Sequence, residues 1–375
     1  MITCSSIAIV SLISKPLLLD ARAQPTKTFE ESLLEVSEKE TVEEQQLPLN
    51  ASLLRKILHA IKRSFDQWIY EPIATAFRFT HLLIIYVPVF ASIPVIYMGP
   101  RDQSRDNERS GQLWWYGFMI RSLERAGPTF IKLGQWAASR TDIFPTELCA
   151  MMSKLHSNNN KHPLSATKRI VERAFDGRKF NTIFEEFIET PLGVGAIAQV
   201  YKAKLKSDLL PPRLRGTKST TEVQNTLRGK VGAFVKEGSN EVPSSYVAIK
   251  VLHPHVEHIV ERDLKIMALF ANILNYIPSM KWLSLPDEVA KFGEMMQLQL
   301  DLRIEAQNLE SFRERFEHRS SVAFPAPYTE YTTRKVLVEE FAHGIPLRAV
   351  LEKGAGVYRK ELADMGLDAF LVSFA

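Results

Sequence analysis

The sequence of 375 residues predicts an α+β protein: a small antiparallel sheet set among long amphipathic helices. Three observations predict it. A glycine loop, Gly193-Val194-Gly195-Ala196-Ile197-Ala198-Gln199-Val200, runs into the strand-like stretch Gln199 to Ala203. A second strand-like run, Tyr246 to Val251, carries Val247-Ala248-Ile249-Lys250. Apolar residues recur at spacings of three and four on both sides of this pair, the period of a helix.

Composition narrows the function classes. A hydrophobic share of 45% and a charged share of 24% are ordinary for a globular chain long enough for one sizeable core or two domains. A net charge of +4 gives no support to a nucleic-acid partner. Cys4 and Cys149 form no CxxC pair, which argues against a disulfide framework or a zinc site.

Residues 1–50 read as a targeting segment and an acidic linker. Met1 to Leu19 is apolar with one Lys15, and Ala21-Arg22-Ala23 has the small-x-small form of a cleavage site. Secretory and mitochondrial targeting both stay open on these residues. Glu30 to Gln46 contains seven Glu and reads as a solvated linker or a loose helix.

Residues 51–110 hold an amphipathic helix and a candidate membrane segment. Leu53, Ile57, Ile61, Phe65 and Trp68 share one face, with Arg55, Lys56, Lys62 and Arg63 on others, as in helices that lie on anionic membranes. His81 to Pro100 contains no Asp, Glu, Lys or Arg, so 81–99 is expected to be a single-pass span or deep anchor, with a buried core helix as the alternative. Pro88 and Pro94 are expected to kink it. Basic residues flank both ends and leave its orientation open.

Residues 111–180 read as a helical extension: Trp114 to Arg125, a break at Gly127-Pro128, a restart through Phe130, Leu133 and Trp136, a turn from Thr141 to Pro145, then helices through Leu155 and over Ser165 to Ala174. Residues 181–346 form the expected sheet-bearing lobe. Phe184 to Phe187 and Ala198 to Ala203 are strands, and the polar stretch 206–245 is expected to be a disordered insertion. Val256 to Tyr276 and Asp287 to Phe316 are each expected to be one long helix, and Tyr328 to Phe341 a hairpin. From Leu347 a further helical run begins, and 347–375 stops within an apolar stretch, which is expected to reflect a truncation.

The chemistry follows from the loop and the lysine. The loop fits GxGxxGxV with Ala198 in the third glycine place. Glycines there let backbone N–H groups approach phosphate oxygens, and a lysine on the next strand pairs with the α- and β-phosphates. Alone, a GxGxxG is also common turn material; the strand-like flanks add the specificity. Downstream, Asp301, Glu305 and Asn308 fall on one helical face at spacings of four and three. A carboxylate on a helix is usually a solvated surface group. On a half-buried helix, however, Glu305 can point inward and fix the lysine ammonium toward phosphates, as in a kinase N-lobe.

With Phe130-Ile131-Lys132-Leu133-Gly134-Gln135, a KxGQ string followed by Ser139-Arg140 and Asp142, and with Gln299-Leu300-Asp301-Leu302-Arg303-Ile304-Glu305-Ala306-Gln307-Asn308, the chain resembles the UbiB/ADCK family of atypical protein-kinase-like proteins. The resemblance runs from about Gly111 to the C-terminus. It implies a kinase-like N-lobe, with Gly193, Gly195, Ala196 and Ala198 over the phosphates and Lys250 paired with Glu305. Glu339, Glu340 and Phe341 would form a hinge meeting adenine through backbone hydrogen bonds. It places Lys132, Gly134 and Gln135 on helices that fold across the site where a protein kinase receives its peptide, and sets Gln299 and Asp301 in the ExD positions.

ATP or ADP with Mg²⁺ is the implied cofactor. A mitochondrial lipid membrane and coenzyme Q biosynthetic proteins are the implied partners, with a role in coenzyme Q and related isoprenoid-lipid metabolism. Three departures stand out. The loop has glycines where the family is alanine-rich, and Gln299 replaces the first acid of ExD. No HxDxxxxN or DFG follows Glu305, so the usual Mg²⁺ ligands and a complete catalytic set are missing, and no phosphoryl transfer is expected from this chain. The alternative is a non-catalytic membrane adaptor or regulatory pseudokinase.

Overall fold

The computed structural model describes residues 32, 35, 36, 39, 52–103, 107–156, 161–210, 246–319, 322–342, 344 and 359–373. The N-terminal targeting segment, nearly all of the acidic linker, residues 211–245 of the polar insertion, and residues 345–358 lie outside them.

Ser52 opens the first helix, α1 (Leu53–Phe65), its hydroxyl accepting from the Arg55 N–H. A π-turn over Asp66–Tyr70 passes directly into α2 (Glu71–Ala91), and a 3₁₀ turn, Ile93–Tyr97, completes a 45-residue helical run from Leu53 to Tyr97. The sequence reading differs here. The uncharged segment is the second half of one long helix, and α2 continues as α-helix through Pro88 before tightening at Ser92. The irregular turn falls at 66–70, where no proline stands.

β1 (Arg101–Asp102) and β2 (Glu108–Arg109) form a two-strand tip that turns the chain back into α3 (Ser110–Ala126). Gly127 ends α3 at φ 99°, a conformation disfavoured for L-residues, and Pro128 starts α4 (Pro128–Ala137). α5 (Thr146–Met152) and α6 (Leu164–Ala174) follow, then α7, a single turn over Phe180–Ile183.

The sheet has β3 (Phe184–Phe187), β4 (Gly193–Val194), β5 (Ala198–Leu205), β6 (Tyr246–Leu252) and β7 (Val336–Glu340), all antiparallel, in the order β3-β5-β6-β7 with β4 on β5. Alternation along β6 sorts its side chains. Val247, Ile249 and Val251 enter one core cluster with Val171, Phe175, Phe184 and Val338. Leu252, from the other face, joins a second cluster built from α2 to α5 and the helices after β6. Ala248 and Lys250 share that second face by the same alternation. The insertion begins with order: Ser207–Leu209 is a 3₁₀ turn that buries Leu209.

After β6 come α8 (Val256–Asn275), α9 (Leu285–Gln299) and α10 (Leu302–Arg315). The expected single helix over Asp287 to Phe316 is therefore two. Asp301 sits between them in extended conformation, its carboxylate capping the Arg303 N–H, and Arg334 O takes the Leu302 N–H. A two-residue break keeps the apolar period nearly in phase, so periodicity does not reveal it. The expected hairpin keeps only its second strand: Thr329–Tyr331 is a 3₁₀ turn, and isolated bridges at Pro327 and Thr333 replace the first. The last helix described is α11 (Arg359–Ser373).

Candidate nucleotide site

Sheet register lines up the loop with the strand lysine. Gly193 lies opposite Val200, Val200 opposite Lys250, and Lys250 opposite Leu337, in one row across four strands. From this row the Lys250 ammonium reaches α10, where Glu305 Oε1 and Oε2 accept at 2.8 and 2.6 Å. Both side chains are partly buried, and both carboxylate oxygens take part, so the ammonium is held in one place rather than swinging in solvent.

The loop above is tight. The Gly195 N–H donates to Ala198 O at 2.8 Å, and a Cβ on Gly195 would stand 3.2 Å from that oxygen. A Cβ on Gly193 would meet nothing within 4 Å, so the space over Gly193 is open to an incoming group. Ala196, Ile197 and Ala198 are buried in the core cluster, and their side chains point away from solvent. The loop is thus pinned from below, and only its backbone is offered outward.

Two more charged groups share this cavity. Glu339 lies opposite Ala248 in the register and therefore projects from the same sheet face as Lys250. Burial and the nearby Glu305 carboxylate push its pKa up to about 7, with Lys250 pulling the other way. Lys132, on α4, is pushed down to about 8 by burial and the Lys250 charge, partly offset by Glu305. Lys132, Lys250, Glu305 and Glu339 thus form one cluster of two cations and two acids, assembled from residues more than 200 apart in sequence, 339 − 132 = 207.

Other expected site residues serve elsewhere. Gln135 donates to Leu155 O at 3.5 Å, and a Cβ on Gly134 would lie 2.5 Å from Leu155 Cδ1, so these two residues seat α4 on the turn after α5. Asp301 is buried and engages Arg303 through both oxygens in addition to capping α10. Gln299 Oε1 is buried without a hydrogen bond among the described residues, and no bond from Lys132 to it is formed.

The expected hinge needs correction. The Phe341 N–H donates to Tyr246 O at 3.0 Å and the Glu340 N–H to Ala326 O at 2.9 Å, so neither is free for adenine. The Phe341 ring packs instead under the Lys202 ammonium at 4.5 Å, and Glu340 is buried with Oε2 accepting from the Ala326 N–H. Glu339 presents its side chain to the cavity.

Sequence reasoning missed a polar network behind the loop. His253 Nε2 meets Gly195 O at 3.0 Å, His253 Nδ1 meets His162 Nδ1 at 2.7 Å, and Thr167, Gln199 and Tyr201 complete it. The one signal available was the place of His253, three residues past Lys250 at a strand end. A second missed network buries Asp263 beneath Arg78 and Thr129.

A glycine loop over a strand lysine that is ion-paired to a helix glutamate is the frame of a kinase-like lobe. Residues 154–209 and 237–375 match the ABC1 atypical kinase-like domain. The chain belongs to the ABC1 atypical kinase-like family. A mitochondrial ABC1 family protein of Schizosaccharomyces pombe is 39% identical over 327 residues, 87% of this chain and 45% of the relative. One from Saccharomyces cerevisiae, also mitochondrial, is 38% identical over 92% of this chain and 51% of its own length. A probable protein kinase UbiB of Marinobacter nauticus is 30% identical over 66% of this chain and 39% of its own. The chain spans about half the length of these two curated ABC1 relatives.

Proposed function

We propose that this ABC1-family chain binds the phosphates of ATP or ADP on the mitochondrial membrane, in service of coenzyme Q and related isoprenoid-lipid metabolism. The observation that carries the nucleotide reading is the Lys250–Glu305 pair beneath the glycine loop. The ammonium would receive the α- and β-phosphates, and the open backbone at Gly193 would approach them from above. Glu305 fixes the lysine, and Glu339 faces the same cavity. These residues fit the polyphosphate. Magnesium is different: among the described residues no group of three or more His, Cys, Asp or Glu side chains could hold a metal ion.

Mitochondrial placement follows the two yeast relatives, and the lipid-metabolic role follows the UbiB name. The long helix supplies the membrane contact as a deep anchor lying along one leaflet. Its inner face is committed to the protein: Leu82 and Val89 are buried, and Trp115 Nε1–H donates to Val89 O at 3.0 Å. Its outer face exposes Ile73, Phe77, Ile84, Val87 and Phe90. The neighbouring α3 is uncharged only from Ser110 to Ile120, a length of ~16 Å. A hydrocarbon core is about 30 Å thick, so α2 and α3 cannot both be surrounded by it. Basic Arg55, Lys56, Lys62 and Arg63 on α1 suit an anionic lipid surface.

A second reading, a non-catalytic adaptor, is favoured by the committed backbone N–H groups at Glu340 and Phe341. Thermal melts with ATP and with ADP separate the two. Nucleotide should raise the midpoint of the wild-type chain and leave Lys250→Ala unmoved. A wild-type midpoint that ignores millimolar nucleotide leaves the adaptor.

A further inference from the structure

The carbonyl of Gly195 dictates the protonation of five side chains behind it. A carbonyl oxygen only accepts, so His253 Nε2, 3.0 Å away, carries the hydrogen. In a neutral ring that leaves His253 Nδ1 bare, and it can only accept from His162 Nδ1–H at 2.7 Å. His162 Nε2 is then bare in turn and accepts from the Thr167 hydroxyl at 2.8 Å. Thr167 Oγ1 receives Gln199 Nε2–H at 3.4 Å and lies 3.1 Å from the Tyr201 hydroxyl, which Gln199 Nε2 also contacts. Gln199 Oε1 closes the circuit by accepting the His162 backbone N–H at 3.2 Å. One direction of donation runs through both imidazoles and the Thr167 hydroxyl with the two rings neutral, and Gln199 shares its two Nε2 hydrogens among Thr167 Oγ1, the Tyr201 hydroxyl and His162 O.

The network is built rather than incidental. Thr167, Gln199 and Tyr201 are at most 1% exposed, and leaving any of them unpaired would carry a desolvation cost. It also joins the right parts. His253 follows the Lys250 strand, its own N–H donates to Ile197 O at 2.8 Å, and its ring grips Gly195 O. Two bonds from one residue thus fix the turn of the glycine loop to the end of β6.

We infer that His253 is a positioning residue that sets the height of the glycine loop above Lys250, with His162 and Thr167 holding it in the tautomer that can grip Gly195. The inference rests on the phosphate-binding reading for its consequence, and on the apo protein for its geometry. Protonating His253 sets two Nδ1–H groups face to face, and protonating His162 turns its Nε2 into a donor toward Thr167 Oγ1 and reverses that link. The groups around the pair do not compensate. β5 presents Gln199 and Tyr201, α6 presents Thr167, and the loop presents a carbonyl. Burial accordingly lowers the pKa of both rings, that of His162 to about 4, which keeps the circuit neutral at ordinary pH.

The test combines three readouts on the full chain. Long-range ¹H–¹⁵N imidazole spectra at pH 7.5 should show His253 protonated on Nε2 and His162 on Nδ1. Amide exchange of residues 193–198, relative to β6, should rise at least severalfold in His253→Ala and stay near wild type in His253→Gln, whose amide can still donate to Gly195 O. The MgATP Kd should rise roughly tenfold in His253→Ala and recover in His253→Gln, a change worth about 1.4 kcal/mol. The opposite tautomers, or loop exchange in His253→Ala equal to wild type, would overturn the inference. Should the wild-type chain fail to bind MgATP while loop exchange still rises in His253→Ala, the latch stands and the nucleotide reading falls.

Discussion

At the scale of single residues, the cavity is a problem in charge balance. Lys250 and Glu305 neutralise each other, so the burial of Glu339 beside Glu305 is uncompensated and its pKa rises to about 7. A carboxyl with an ordinary value near 4.5 that rises to about 7 on folding binds more protons when folded between those limits. Its stabilising contribution is complete below pH 4.5 and is lost as pH climbs through 7. Glu339→Gln should therefore flatten the decline in thermal midpoint between pH 4.5 and about pH 7. An unchanged slope would remove Glu339 from the cluster. The same substitution should weaken the pH dependence of nucleotide affinity, because the ionised carboxylate opposes phosphate above pH 7. His162 acts with the opposite sign: its lowered pKa costs stability as pH falls from 6.5 toward 4, so the two effects oppose each other over overlapping windows and are told apart by substituting one residue at a time.

Part of this was legible in the sequence for local reasons. Val247-Ala248-Ile249-Lys250 alternates as a strand, and Glu305 with Asn308 keeps helical spacing, so each side chain's face follows from its own neighbours. The histidine circuit was not legible. His162 and His253 are 91 residues apart, and neither sits in a pattern that sets it apart from a surface histidine.

At the scale of elements, the long helix is locked to the lobe by buried charge. Asp263 on α8 is fully buried and accepts from Arg78 Nε at 2.6 Å, Arg78 Nη2 at 2.9 Å and Thr129 Oγ1 at 2.7 Å, while Arg78 Nη2 also reaches Ala126 O. Arg262 and Glu71 form a second pair one helical turn or two away along the same seam. Removing one partner of a buried ion pair strands the other, at about 3–5 kcal/mol. Asp263→Ala should lower unfolding free energy by that amount in denaturant melts; a loss under ~1 kcal/mol would mean Arg78 finds water instead. Element existence followed from periodicity almost throughout, whereas the α9–α10 break did not. Asp301 replaces helical hydrogen bonds with a side-chain cap, an exchange that leaves the apolar rhythm intact.

At the scale of the whole molecule, one sheet separates two cores. The glycine loop and α4 meet on the side where the long helix also packs, so the cavity and the apolar outer helix belong to the same half of the protein. The sequence read residues 81–99 as a span or anchor because an uncharged run of that length is ambiguous; packing shows one narrow face, at Leu82 and Val89, buried against the protein. Flotation with liposomes of anionic and neutral composition checks the one-leaflet arrangement. The chain should float with anionic vesicles, and Ile84→Glu with Val87→Glu should abolish flotation while the melting midpoint changes little. Protection of one flank of the helix with cleavage of the other in sealed vesicles would instead establish a span.

The phosphate grip itself is measured most directly by calorimetric titration of ADP into wild type, Lys250→Ala, Glu305→Ala and the double variant. A lysine held by its glutamate predicts that each single change weakens binding by roughly tenfold or more, and that the double change is little worse than Lys250→Ala alone. Equal affinities in all four proteins would contradict it.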